Sequence, residues 1–142
     1  MNVKQALKAK NKLTTRINEL YSLAKTYNSI EDGNPRKYSV VGLLNEAEEL
    51  TKELVELKAK IHKANQPVYD KIFLMAELKG MVKQLKGLPC DEGKQSERYG
   101  TVVSVKVVEI DIVRKNEMIK ELEAKIEQLQ DVLDVHNATT NI

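Results

Sequence analysis

Residues 40–65 have the sequence VVGLLNEAEELTKELVELKAKIHKAN and carry an unbroken apolar stripe. This spacing places the apolar side chains on one face of an α-helix and is typical of coiled-coil packing. The segment therefore predicts a long second helix over 39–66 that packs against other helices. Its apolar residues recur at alternating steps of three and four, at Val40, Leu43, Ala47, Leu50, Leu54, Leu57, Ile61 and Ala64.

Weaker stripes of the same kind lie on both sides of this segment. They predict a first helix over 1–28, a third over 69–86 and a fourth over 111–136. The third helix is apolar on more than one face, so we expect it to lie deep in the fold.

Turn and capping residues mark the ends of the second helix. Gly33 and Pro35 favour a chain reversal between the first two helices, because glycine accepts positive φ and proline cannot continue a helix. Ser39 is expected to cap the second helix, and Pro67 is expected to end or kink it.

The segment between the third and fourth helices breaks the helical pattern. Residues 87–100 are polar and predict an exposed loop, whereas residues 101–108 are rich in valine and predict a strand. A single strand is not stable alone. We therefore expect it to pair with a second copy of itself, to pair with residues 36–40, or not to form.

The composition agrees with a helical fold. The 142 residues include no Trp and one Phe, and 31% of them are charged. A core of aliphatic residues at this spacing is typical of helical bundles, and the length suits one domain. We predict an all-α antiparallel bundle or coiled coil of three to four helices, as a single helical domain over 1–142 with a short β excursion near 101–108.

Cysteine content and hydropathy bear on the compartment. Cys90 is the only cysteine, which rules out an intrachain disulfide framework and fits a reducing compartment. The lysine-rich first residues do not have the pattern of a secretion signal, and the longest apolar run is far shorter than the roughly 20 residues of a membrane-spanning helix. We expect a cytoplasmic protein with Cys90 as an exposed thiol, which the neighbouring Asp91 and Glu92 make a poor nucleophile.

The first helix carries a basic ridge, formed by Lys4, Lys8, Lys12 and Arg16, with Lys10 beside it. In a hairpin that reverses near Gly33, Lys12 and Arg16 would lie opposite Glu53 and Glu56 and pair with them. The outer lysines would lie near the basic end of the second helix and next to a helix N-terminus, which also favours an anion. This gives a candidate site for phosphate, nucleic acid or anionic lipid, formed by Lys4, Lys8, Lys10, Lys60 and Lys63.

The alternative is that acidic residues of the fourth helix neutralise these lysines. We favour this alternative, because the net charge of +2 is nearly balanced and the chain has few aromatic residues for stacking on bases. The acidic residues concerned are Glu117, Glu121, Glu123, Glu127, Asp131 and Asp134.

Other polar residues do not indicate a reaction. Asn65 and Asn137 end two long helices, where each would cap its helix or bond to a neighbouring subunit. His62 and His136 lack partners at metal-ligand spacing. The chain has no P-loop, dinucleotide fingerprint, HExxH or Gly-x-Ser-x-Gly motif, so we expect no catalytic residue, cofactor, metal or small-molecule substrate.

The order of these features also carries a resemblance. A turn rich in Gly and Pro follows a long first helix, a Leu- and Glu-rich helix ends in Ile-x-x-x-Asn, and a Val-rich segment precedes a last helix closed by Asn-x-Thr. The chain thus resembles the septicolysin-like family of small bacterial helical proteins, although His62, Ala64 and Ala138 depart from its usual pattern. The resemblance implies an oligomeric helical bundle of unassigned role. It rests on Ile30 to Pro35, Leu43 to Leu57, Ile61 with Asn65, residues 101–108, and Asn137 with Thr139 and Thr140.

The sequence therefore favours a non-enzymatic, self-associating scaffold or adaptor whose partner is itself. Apolar residues beside the main stripes are more than one hairpin can bury. The alternative is an anion-binding module for nucleic acid or an anionic membrane surface. The surplus apolar residues are Val41, Leu44 and Val55 of the second helix and Val113, Met118 and Val132 of the fourth.

Overall fold

A computed structural model of the chain describes residues 1–96 and 103–142. The described residues confirm the predicted all-α class with a short β excursion. They divide into two compact units, Met1–Val68 with Asp134–Ile142 and Tyr69–Leu133. The elements are α1 (Val3–Tyr27), α2 (Val40–Asn65), a 3-10 turn (Gln66–Val68), α3 (Tyr69–Lys86), β1 (Gly93–Ser96), β2 (Val103–Lys106) and α4 (Ile112–Thr139).

The first unit is built on an antiparallel hairpin of α1 and α2. Gly33 has a φ of +88° in the connection, and Ser39 Oγ caps α2 by accepting from Gly42 N at 3.1 Å. Both agree with the sequence prediction. The hairpin buries the apolar stripe of α1 and the centre and end of the α2 stripe, at Val3, Ala6, Ile17, Leu20, Ala24, Ala47 and Ile61.

The expected pairing of Arg16 is wrong. Its guanidinium lies 3.2 Å from Glu46 and 3.5 Å from Glu19, rather than against Glu53 or Glu56. Arg16 nevertheless lines one cleft with Glu53, so these two residues lie near each other. Lys12 and Glu53 still border one cleft.

Residues 134–142 close the first unit by joining the start of α1. Val3 N donates to Thr140 O at 2.9 Å, and Ile142 N donates to Met1 O at 3.0 Å. The Asn2 side chain donates to Ala138 O at 3.1 Å and caps α1 by accepting from Gln5 N at 2.9 Å. These bonds tie together two segments that lie at opposite ends of the printed sequence.

The second unit is a helical hairpin of α3 and α4 with Leu78, Val82 and Ile119 in its core. The expectation that the third helix lies deep is wrong, because this unit offers α3 only one helix to pack on. The exposed side-chain fractions of its outward residues Phe73 and Met81 are 63% and 51%.

Lys115, which interrupts the apolar stripe of α4, binds backbone carbonyls at the end of α3. Its Nζ donates to Lys86 O at 3.1 Å and to Leu88 O at 2.9 Å. Carbonyls at the end of a helix have no partner within the helix, so a cation placed there satisfies them. The charge therefore caps α3.

The strand predicted over 101–108 forms at Val103–Lys106, but its expected partners are wrong. It pairs antiparallel with Gly93–Ser96, so that Gly93 lies opposite Lys106. That partner lies inside the stretch 87–100, which we expected to be entirely loop. A nearby partner is favoured because closing a short connection costs little conformational entropy. Residues 101 and 102 of the predicted strand lie outside the described residues.

Candidate functional surfaces

The candidate lysines border two clefts of the first unit. Lys4 and Lys8 line one of about 390 Å³, together with Asn137 and Asp134. Lys60 and Lys63 line another of about 500 Å³, which includes Asn141 and Ile142. Residues 134–142 contribute to both clefts, with Asp134 and Asn137 in the first and Asn141 and Ile142 in the second. Lys10 is half-buried in α1 and is not among the lining residues of either cleft.

The acidic residues of α4 are divided between the two units. Glu117 and Glu121 lie 3.3 and 3.5 Å from Arg114, within the second unit. Asp134 is the only one of the six that belongs to the first unit, where it borders the cleft of Lys4 and Lys8.

The N-terminus of α1 is already occupied. Two of its first amides, Val3 N and Gln5 N, donate to Thr140 O and to Asn2 Oδ1. An anion near Lys4 would therefore be held by lysine ammonium groups more than by the free amides that usually bind anions at helix starts.

Asn65 and Asn137 have different surroundings. Asn65 Oδ1 lies 3.2 Å from His136 Nε2, and His136 Nδ1 lies 3.1 Å from Thr140 Oγ1. Because an amide oxygen only accepts, Nε2 must donate to it. Asn65 thus joins α2 to the C-terminal segment of its own chain. Asn137 lies inside α4, which continues to Thr139, so it does not end the helix as expected.

Cys90 is half-buried, and the expectation of an exposed thiol is wrong. Its Sγ lies 3.4 Å from Ile110 O, a carbonyl to which the thiol can donate. Within the described ranges, no three His, Cys, Asp or Glu residues are arranged to hold a metal ion. No helix of the described residues is long and apolar enough to cross a membrane.

The outward face of α2 carries apolar side chains with a charged pair between them. The exposed fractions of Val41, Leu44 and Val55 are 70%, 43% and 61%. Lys52 Nζ lies 2.8 Å from Glu49 Oε1 and 3.9 Å from Glu48 Oε1. The hydrogen bond and the charge of Glu49, with a smaller effect of Glu48, raise the pKa of Lys52 above its ordinary value. Lys52 is therefore positively charged at neutral pH.

The second unit also exposes apolar residues. Val113 and Val132 of α4 are 63% and 45% exposed, whereas Met118 is half-buried. Leu74 and Leu129 join Val132 around a cleft of about 450 Å³. The sequence analysis did not predict the exposed apolar side chains of α3. Apolar residues on several faces of one helix could have indicated them, because a single neighbouring helix covers only one face.

None of the family models, curated proteins or solved structures compared with the chain matches it. The resemblance to the septicolysin-like family therefore stays a prediction.

Proposed function

We propose that the chain is a non-enzymatic helical scaffold or adaptor that works as a homo-oligomer. The observation that carries this proposal is the apolar surface on the outward faces of the helices, including Val41 and Val55 of α2 and Val113 of α4. Burying such a side chain completely stabilises an assembly by about 1.5–3 kcal/mol. A partner that covers several of them at once would bind for this reason.

The proposal that the protein is not an enzyme is supported by the exposure of its polar side chains. No polar or charged side chain among residues 1–94 and 104–142 is buried. Catalytic acids and bases usually depend on burial and close neighbours to adjust their pKa values. The described clefts offer surface lysines and apolar walls instead.

Co-expression of a tagged and an untagged copy tests the proposal. We expect the untagged copy to be retained with the tagged copy through a wash at high salt, because apolar contacts survive salt that screens surface charges. Recovery of the tagged copy alone would overturn self-association.

We also propose the bacterial cytoplasm as the compartment and the septicolysin-like family as the group to which the chain belongs. The single Cys90 supports the compartment, and the order of the sequence features supports the family. Localisation of a fluorescent fusion to the cell envelope would contradict the compartment.

An anion-binding module is the second candidate. The observation in its favour is that Lys4 and Lys8 face one cleft and Lys60 and Lys63 face another on the same unit. Binding to single-stranded nucleic acid or to anionic vesicles would then fall steeply as salt increases.

The test is the double variant Lys4→Glu with Lys8→Glu. It should weaken binding and reduce the log–log salt slope for single-stranded nucleic acid by about 1.4. Lys79→Glu with Lys83→Glu makes the same change in net charge on α3 and should leave binding unaltered. If the unaltered chain does not bind at low salt, this candidate is removed.

A further inference from the structure

The outward face of α2 carries two apolar side chains with two opposite charges between them. Leu44 and Val55 are exposed and apolar, and Glu48 and Lys52 lie between them at helical spacing. The side chains of Glu48 and Lys52 are 68% and 61% exposed. All four lie on a face that points away from the buried stripe at Ala47 and Ile61.

Two copies of this face bring opposite charges together only when the two helices run in opposite directions. In an antiparallel pair, Glu48 of each copy faces the partner's Lys52. In a parallel pair in register, each charge faces its own kind, which costs free energy. A two-fold axis generates this antiparallel arrangement, and two-fold dimers are the commonest closed oligomers.

We propose that the outward face of α2 binds the same face of a second copy in an antiparallel, two-fold symmetric pair. Leu44 of each copy packs against the partner's Val55, and the Glu48 and Lys52 pairs lie between these two apolar layers. The layers are about 16 Å apart, from the helical rise over eleven residues. This inference rests on the proposed self-association and names the surface responsible.

The apolar layers are tested with Val55→Glu. It introduces a carboxylate into each layer, so the dissociation constant of the dimer should rise about a hundredfold. Val105→Glu is the matched control, because Val105 is 65% exposed and Val55 is 61% exposed, and Val105 lies on β2 outside the apolar helix faces. It should leave the dissociation constant unchanged. Both are measured by sedimentation equilibrium.

The outcomes separate this inference from the proposed function. If Val55→Glu leaves the molar mass of an oligomer unchanged, the α2 surface is wrong although self-association stands. If the unaltered chain is a monomer, both are wrong.

The antiparallel direction is tested with charge reversals. Glu48→Lys alone and Lys52→Glu alone each place like charges together at the axis, so each should weaken association about tenfold. A mixture of the two variants should form a mixed dimer about as strong as the unaltered one. Contacts within one helix cannot explain the recovered affinity of the mixture, because each variant chain still carries two like charges at positions 48 and 52.

A parallel dimer gives a different pattern. There the single variants would associate as strongly as the unaltered chain, and the mixture would associate more strongly than it. That result would overturn the antiparallel arrangement.

Discussion

His136 ties the end of α2 to the C-terminal segment through both ring nitrogens. Asn65 Oδ1 and Thr140 Oγ1 are its partners, at 3.2 and 3.1 Å, and the group is partly buried. A hydrogen bond of this kind contributes about 0.5–1.5 kcal/mol, and leaving a partner unsatisfied costs more.

We predict that Asn65→Ala and His136→Ala each lower the free energy of unfolding by about 1 kcal/mol. Because the two side chains contact each other, the double variant should lose less than the sum, with a coupling of at least about 0.5 kcal/mol. Urea unfolding at one fixed protein concentration measures all four proteins. Strictly additive losses would show that the observed contact contributes nothing.

Single residues show where sequence reasoning works and where it stops. Ser39 was predicted as a cap because capping depends on residues three positions away. Asn65 was predicted at a helix end, but its partner His136 is 71 positions away and no local pattern indicates it. Lys115 interrupted a stripe for a reason that only the nearby end of α3 explains.

Gly33 and Gly80 differ in backbone conformation but not in the space around them. Gly33 lies in the connection of α1 and α2 at a φ of +88°, and no atom would contact an added Cβ there. Gly80 lies within α3, and an added Cβ there also has no atom within 4 Å. The two positions therefore isolate the effect of backbone conformation from that of packing.

We predict that Gly33→Ala lowers the free energy of unfolding by about 1 kcal/mol, because L-residues disfavour positive φ. Gly80→Ala, the matched control, should raise it by up to about 1 kcal/mol, since alanine favours a helix interior. Thermal unfolding followed by circular dichroism measures both. Equal effects of the same sign would contradict the assigned backbone conformations.

The helices were predictable at the level of elements, and the strand pairing was not. Apolar periodicity is local, so it placed α2 and α3 within one residue of their bounds. Pairing of Val103–Lys106 with Gly93–Ser96 depends on a partner whose side chains, such as Lys94, have low strand preference. Backbone hydrogen bonding with a close neighbour in sequence outweighed that preference.

The first unit brings together residues from both ends of the sequence. Lysines at the start of α1 and the end of α2 were expected to share one end of a hairpin. The position of residues 134–142 and the occupied N-terminus of α1 could not be expected, because they depend on contacts such as Asn2 with Asn141. The candidate lysines were therefore predictable from the sequence, whereas the residues of 134–142 that border their clefts were not.

We propose that another copy of the chain covers the apolar surface left on the helices. Light scattering of the unaltered protein at micromolar concentration measures this self-association. We predict a molar mass that is a whole-number multiple of 16.1 kDa, at least twice that value, and that declines on dilution as mass action requires. A molar mass of 16.1 kDa at every concentration would contradict it.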